Sequence, residues 1–337
     1  MRQWLLKSLS TQPPGRYLPL RLLDLCPEHA TPPEGLLYGP DELHSPTTAL
    51  IDTTSITQQW ASEPSRAPLV YAALSYCWGN RGLPLKTEKH SLHERLSGIL
   101  IESLPLCFQD AVKLARSLGL RYLWIDALCI VQVDIRDWET QAASMFDIFS
   151  KAALTIAVAP VSSCQESFLA KPIPQQFHIP FRSTKHPGVS GVFSIHKVPP
   201  KWDPTNTNVV NLRPCDGGLF ASKWCRRGWM WQERNMAPRL LIWGEYMFHL
   251  QDSRGDVVSE DMTTALKPNV CHDLVTWRCD VERLWYIWVW QYSLTKLTYA
   301  SDRLPAISGL ARRAAQDVAA PYRAGHWQTP RFCLSLF

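Results

Sequence analysis

Glu233 closes the run Trp229-Met230-Trp231-Gln232, and Asp126 closes the apolar run Tyr122–Ile125. A carboxylate placed against a sugar can stabilise an oxocarbenium-like state or hold ribose hydroxyls, which is the chemistry of N-glycosidic bond cleavage. Arg226 and Arg227 stand side by side and suit a pyrophosphate, gripped through charge-assisted hydrogen bonds. Trp78 and Trp231 offer flat faces for ring stacking. The candidate carboxylates are Glu233 and Asp126, and the candidate binding residues are Ser75, Trp78, Gly79, Arg226, Arg227 and Trp231. Each also has a plain structural role open to it. Glu233, flanked by Arg227 and Arg234, can be half of a buried ion pair. Asp126 can accept backbone N–H bonds in a turn, and Trp78 and Trp124 can simply fill the core.

The elements that must position these residues follow from periodicity. Val70–Tyr76 (VYAALSY) is a short apolar run ending in Cys77-Trp78-Gly79-Asn80, a strand followed by a turn. Ser103 and Pro105 open a helix with Leu104, Phe108, Ala111, Ala115 and Leu118 on one face, stopped by Gly119. Tyr122–Ile125 is a second strand. Asp137 is suited to cap a second helix, with Trp138, Ala142, Met145, Phe149 and Ala152 on its apolar face. Thr155–Ala159 is a third strand, closed by Pro160. Strand, helix, strand, helix, strand at these spacings predicts a parallel sheet with right-handed crossovers. Ligands bind such sheets at the carboxyl ends of the strands, here Tyr76–Asn80 and Asp126–Gln132.

Around this unit the signals are weaker. Residues 1–66 are rich in Pro, Ser and Thr and read as an arm of loops outside the core, with Leu18–Leu25 as an edge strand at most. Residues 160–220 read as a loop-rich insertion with short strands. Apolar sequence returns at Trp224–Trp243, and Thr276–Thr295 and Asp302–Ala320 carry helical patterns. The expected division is an arm at 1–66, a main domain at 67–240 and a mostly helical C-terminal extension at 241–337 packed on it.

Composition narrows the function classes. With 46% apolar and 19% charged residues the chain can bury a core. Its 15 Trp imply a bulky core or ring-lined pockets. The net charge of +5 is spread without a basic stripe, and no nucleic-acid-binding module is visible. Ten cysteines occur without a CxxC pair, several inside apolar runs, as free buried thiols do in a reducing compartment. His249, His272, Cys271 and Cys279 lack zinc-site spacing, so no metal is expected. No GxSxG, Walker loop or GxGxxG is present. The N-terminus has too short an apolar core for a secretion signal, and Leu284–Leu297, interrupted by Gln291 and Lys296, is too short to span a bilayer. The expected location is the cytoplasm.

Three segments in order resemble the fungal heterokaryon-incompatibility (HET) domain family. They are Tyr71-Ala72-Ala73-Leu74-Ser75-Tyr76-Cys77-Trp78-Gly79; Leu123-Trp124-Ile125-Asp126-Ala127-Leu128-Cys129-Ile130-Val131-Gln132 with Asp137-Trp138; and Trp224-Cys225-Arg226-Arg227-Gly228-Trp229-Met230-Trp231-Gln232-Glu233-Arg234 with Ala237-Pro238-Arg239. Asp302-Arg303-Leu304-Pro305-Ala306-Ile307-Ser308-Gly309-Leu310-Ala311 resembles the region that follows the domain in many members. Departures are Val131, where the family commonly has asparagine, and Phe248-His249-Leu250-Gln251, without the acidic residue and cysteine often seen there. The chain also ends soon after the tail motif.

The resemblance implies nonself recognition between fusing fungal cells, ending in growth arrest or programmed cell death. It also implies a flavodoxin-like, TIR-related parallel sheet. Some TIR domains cleave NAD at the nicotinamide–ribose bond with a helix glutamate that follows a Trp-containing motif, and Glu233 is the matching residue here. NAD would be substrate, with no resident cofactor. Two alternatives stand beside the enzyme: a non-catalytic module acting by self-association or through an unknown incompatibility partner, and an inactive, truncated member.

Overall fold

The computed structural model describes residues 1–28, 36–39, 42–62, 68–79, 85–170, 176–196, 222–245, 248–252, 257–259, 281–318, 320–323 and 325–330. The chain begins with helix α1 (Arg2–Thr11) and strands β1 (Arg21–Asp24) and β2 (Thr47–Asp52), followed by α2 (Thr54–Ser62). Then come β3 (Tyr71–Ser75), α3 (Leu92–Ser97), β4 (Ile99–Leu100), α4 (Leu106–Ser117), β5 (Tyr122–Trp124), the one-turn α5 (Asp126–Cys129), α6 (Ile135–Lys151) and β6 (Leu154–Val158). A hairpin of β7 (Gln176–Arg182) and β8 (Ser190–His196) precedes α7 (Gly228–Met236), β9 (Arg239–Trp243), β10 (Phe248–Asp252) and β11 (Val257–Ser259). The chain closes with α8 (Val281–Ser293), α9 (Pro305–Ala314) and the short pair β12 (Tyr322–Arg323) and β13 (His326–Trp327).

Nine strands form one sheet in the order β11-β10-β9-β6-β3-β5-β1-β2-β4. Its centre, β9-β6-β3-β5, is parallel, and antiparallel strands extend both sides. The first parallel strand, β3, lies between the second, β5, and the third, β6. This is the flavodoxin-like arrangement, whose connections run in opposite directions from the first strand and open a crevice at its carboxyl end.

Alternation along each strand divides the core. Ala72, Leu74, Leu123, Ile125, Leu154 and Ile156 face α1 and α4, where Leu5, Leu9, Phe108, Ala111 and Ala115 cover them. Tyr71, Ala73 and Trp124 face the other way, onto Met145, Ile148 and Phe149 of α6, Trp285 and Trp288 of α8, and Ile307 and Leu310 of α9. The result is a three-layer α/β/α stack. Leu104, Phe108, Ala111, Ala115 and Leu118, the expected face of the first helix, are all buried, and Gly119 ends that helix at φ +82°.

Two expectations need correction. The first 66 residues are not merely an arm: β1 and β2 lie inside the sheet, and β1 pairs with β5 on one side and β2 on the other. Leu18–Leu25 therefore holds an interior strand instead of an edge. Arg239 fixes α1 to this body, its buried guanidinium donating to the Ser8 hydroxyl (2.8 Å) and to the carbonyls of Ser8 and Gln12. The second correction is the cap of α6. Asp134 caps it by accepting from the Arg136 N–H at 3.1 Å, because Asp137 is held by Arg21 and by the N–H of Val131. Trp138, expected on the apolar face, is 37% exposed.

The expected helices at Thr276–Thr295 and Asp302–Ala320 are present as α8 and α9, although 276–280 lie outside the described residues. So does 197–221, most of the later half of the loop-rich insertion; the described part supplies β7 and β8. Among the described residues no helix is long and apolar enough to cross a membrane.

Candidate functional site

Ser75 is the last residue of β3 and shares its face with Tyr71 and Ala73, so its hydroxyl points toward the layer that contains α7. There it donates to Glu233 Oε2. The same Ser75 oxygen accepts the indole N–H of Trp224 at 2.7 Å. Arg227 Nη2 reaches the other oxygen, Oε1, at 3.4 Å. Glu233 itself is 4% exposed. Burial pushes its carboxyl above the usual range; Arg227 and the Ser75 hydroxyl pull it back, and the nearby Asp126 charge pushes it up again.

Asp126 opens α5, immediately beyond β5. One oxygen accepts the Tyr76 hydroxyl and the Ala127 N–H, both at 2.7 Å, and the other accepts the Trp78 indole N–H at 2.7 Å. Burial raises this carboxyl too, against the pull of Tyr76, Arg227, Trp78 and the Ala127 N–H. Asp126 thus fills the turn-acceptor role and also sits in the candidate cluster. Tyr76, one residue past Ser75, faces the opposite side and meets Phe108 edge-on, with ring centroids 5.0 Å apart.

Arg227 links the two halves. Burial works against its charge, and Glu233, Cys77 and Asp126 outweigh that effect. Its Nη1 is buried without a hydrogen-bond partner. The Cys77 thiol beside it is raised by burial, which keeps it protonated and a poor nucleophile. The members of the cluster that reach solvent are Trp78, Gly79, Asp126 and Arg227, all half-buried.

The remaining candidates divide. Gly79 adopts φ +100°, and a Cβ there would sit 2.6 Å from Ser163 Oγ, so glycine serves the turn and a close approach. Trp78 spends its N–H on Asp126. Trp231 is half-buried against two core clusters, with a buried Nε1 that has no partner. Arg226 is exposed and takes no part in the cluster's hydrogen bonds among the described residues.

Helix α7, which carries Glu233, is braced from the C-terminal side. Gly228 N–H donates to the Lys296 carbonyl at 2.9 Å and Lys296 N–H to the Arg226 carbonyl at 2.6 Å. The Trp229 indole donates to Asp302 at 3.0 Å, and Gly309 N–H to the Gln232 side chain at 3.2 Å. Trp224 and Tyr76 were not singled out as site residues in the sequence. Strand alternation places Tyr76 opposite Ser75, whereas Trp224 gives no local signal of its partner. Among the described residues no group of three or more His, Cys, Asp or Glu is placed to hold a metal ion. The six described cysteines (26, 77, 107, 129, 164 and 225) are free thiols.

A family model described as "Heterokaryon incompatibility protein (HET)" matches residues 71–233, from the first residue of β3 to Glu233. No curated protein and no solved structure matches the chain.

Proposed function

We propose, from the match of residues 71–233 to the heterokaryon incompatibility family model, that the chain acts in nonself recognition between fused fungal cells and triggers their death by cleaving NAD, as some TIR domains do. One observation carries this reading. Asp126, just beyond β5, meets Arg227 and Glu233, both carried by the α7 segment, at the carboxyl ends of parallel strands, and burial raises both carboxyls.

In this reading the NAD pyrophosphate takes Arg227, whose Nη1 is unpartnered, and draws it from Glu233. The released carboxylate then faces the nicotinamide ribose. The glycosidic C–N bond breaks with its electron pair leaving on neutral nicotinamide, and the oxocarbenium-like sugar is stabilised by Glu233. Water adds at the anomeric carbon and loses a proton, giving ADP-ribose. Asp126, steadied by Tyr76 and Trp78, holds ribose hydroxyls. Trp78 and Trp231 provide ring faces. Purified protein incubated with NAD releases nicotinamide, and Glu233→Ala abolishes the release; equal rates in the two proteins refute the reading.

A second reading, a module that kills by assembly without turnover, is favoured by the enclosure of Glu233 and by the β7–β8 hairpin. Phe177, Ile179 and Phe193 share one face of that hairpin and are about half exposed or more. It is distinguished by toxicity that survives Glu233→Gln and is lost when Phe193 is replaced by a charged residue.

A further inference from the structure

Trp224 is fully buried, and its indole N–H has one partner, the Ser75 oxygen at 2.7 Å. Indole nitrogen can only donate, so this bond occupies an acceptor site on the serine oxygen. Ser75 is 1% exposed, and the other side chain bonded to its hydroxyl is Glu233. The serine proton therefore points at Glu233. A hydroxyl that donates to a carboxylate favours its ionised form and fixes which oxygen it holds. The other charged or titratable groups facing Glu233 are Arg227 on the segment entering α7, Asp126 on α5 and Cys77 beyond β3. Arg227 addresses Oε1, so the Trp224–Ser75 pair is what orders Oε2.

We propose that Trp224 is a positioning residue for Glu233: through the Ser75 hydroxyl it fixes the direction of the hydrogen bond that orients the carboxylate. The role in NAD cleavage rests on the function proposed above; the effect on Glu233 itself does not. The Trp224 indole reaches Ser75 across 149 residues of chain for this purpose, which explains why a buried serine ends β3 where the strand's other residues are apolar or aromatic.

The test is a pH titration of the full chain by NMR, following the carboxyl carbon of Glu233 and the indole N–H of Trp224, assigned with Glu233→Gln and Trp224→Phe. The indole resonance is expected to move with the same midpoint as the carboxyl and to lose that step in Glu233→Gln. Trp224→Phe and Ser75→Ala each raise the Glu233 midpoint by about one pH unit, the size of a lost hydrogen bond to a charged group; Ser75→Thr, which keeps the hydroxyl, restores it. An indole resonance that stays flat while Glu233 titrates, or a wild-type midpoint in Trp224→Phe, overturns the proposal. Should Trp224→Phe not fold, the wild-type co-titration and Ser75→Ala decide it. These readouts are unaffected if the protein proves unable to cleave NAD.

Discussion

The Ser75 hydroxyl donates to the Glu233 carboxylate across 158 residues of chain, joining the carboxyl end of β3 to helix α7. Removing it leaves a buried carboxylate and the Trp224 N–H each short of a partner. Ser75→Ala is expected to lower stability by about 1–3 kcal/mol, the cost of unsatisfied buried polar groups. Urea unfolding at neutral pH measures this, and an unchanged midpoint at unchanged slope would contradict it.

The raised carboxyl of Glu233 gives stability a definite pH dependence. Burial lifts it above its ordinary value of 4.5 in spite of Arg227 and Ser75. The folded state therefore holds this proton more tightly than the unfolded state. Its contribution is fully present below the ordinary glutamate value and is lost as pH rises through the folded one. Glu233→Gln cannot ionise, so its stability relative to wild type should climb across that same window. Parallel urea titrations at stepped pH check this; a pH-independent difference would mean that Glu233 titrates normally.

Gly79 carries the turn that brings the Trp78 indole to Asp126. With φ +100° and Ser163 Oγ 2.6 Å from any added Cβ, Gly79→Ala meets both backbone strain and a clash. A loss of about 1–3 kcal/mol is expected. The Trp78 indole N–H resonance should shift as well, since its bond to Asp126 is disturbed. A fully stable Gly79→Ala variant with that resonance in place would show that the turn tolerates a side chain.

Much of this architecture was legible in the sequence, and the failures have physical causes. The β3–α4–β5–α6–β6 unit has strong periodicity, because each element buries one face against its sequence neighbours. Strand β1 spans four residues and owes its place to pairing with β5, about 100 residues away, a long-range contact that local pattern does not carry. The same insertion brings Arg21 to Asp137, so the aspartate that looked like the α6 cap is occupied and Asp134 takes over. Glu233, Asp126 and Arg227 were named from residue type and motif, and the fold brings them close to one another. Trp224 was not, because an indole's partner across the fold leaves no trace in its neighbours.

The C-terminal brace makes a further claim. A Cβ on Gly309 would lie 2.7 Å from the amide of the buried Gln232, which bonds the Gly309 N–H. Gly309→Ala should therefore push α9 from α7 and cost about 1–3 kcal/mol through overpacking. The Trp229 indole N–H resonance should change with it, as its bond to Asp302 loosens. Hydrogen exchange at α7 amides would then quicken; an unaltered exchange rate would show that α7 does not depend on α9.

The central claim is that the cluster at the carboxyl ends of the strands breaks the nicotinamide–ribose bond. Its most direct test is nicotinamide release from NAD by the purified chain, at matched concentration and at several protein concentrations, beside Glu233→Gln. Release by the wild type is expected, with a loss of at least about 100-fold in Glu233→Gln, on the scale of removing a group that stabilises charge in the transition state. Equal release by the two proteins, or none by a wild type that kills cells as fully as Glu233→Gln does, would contradict it.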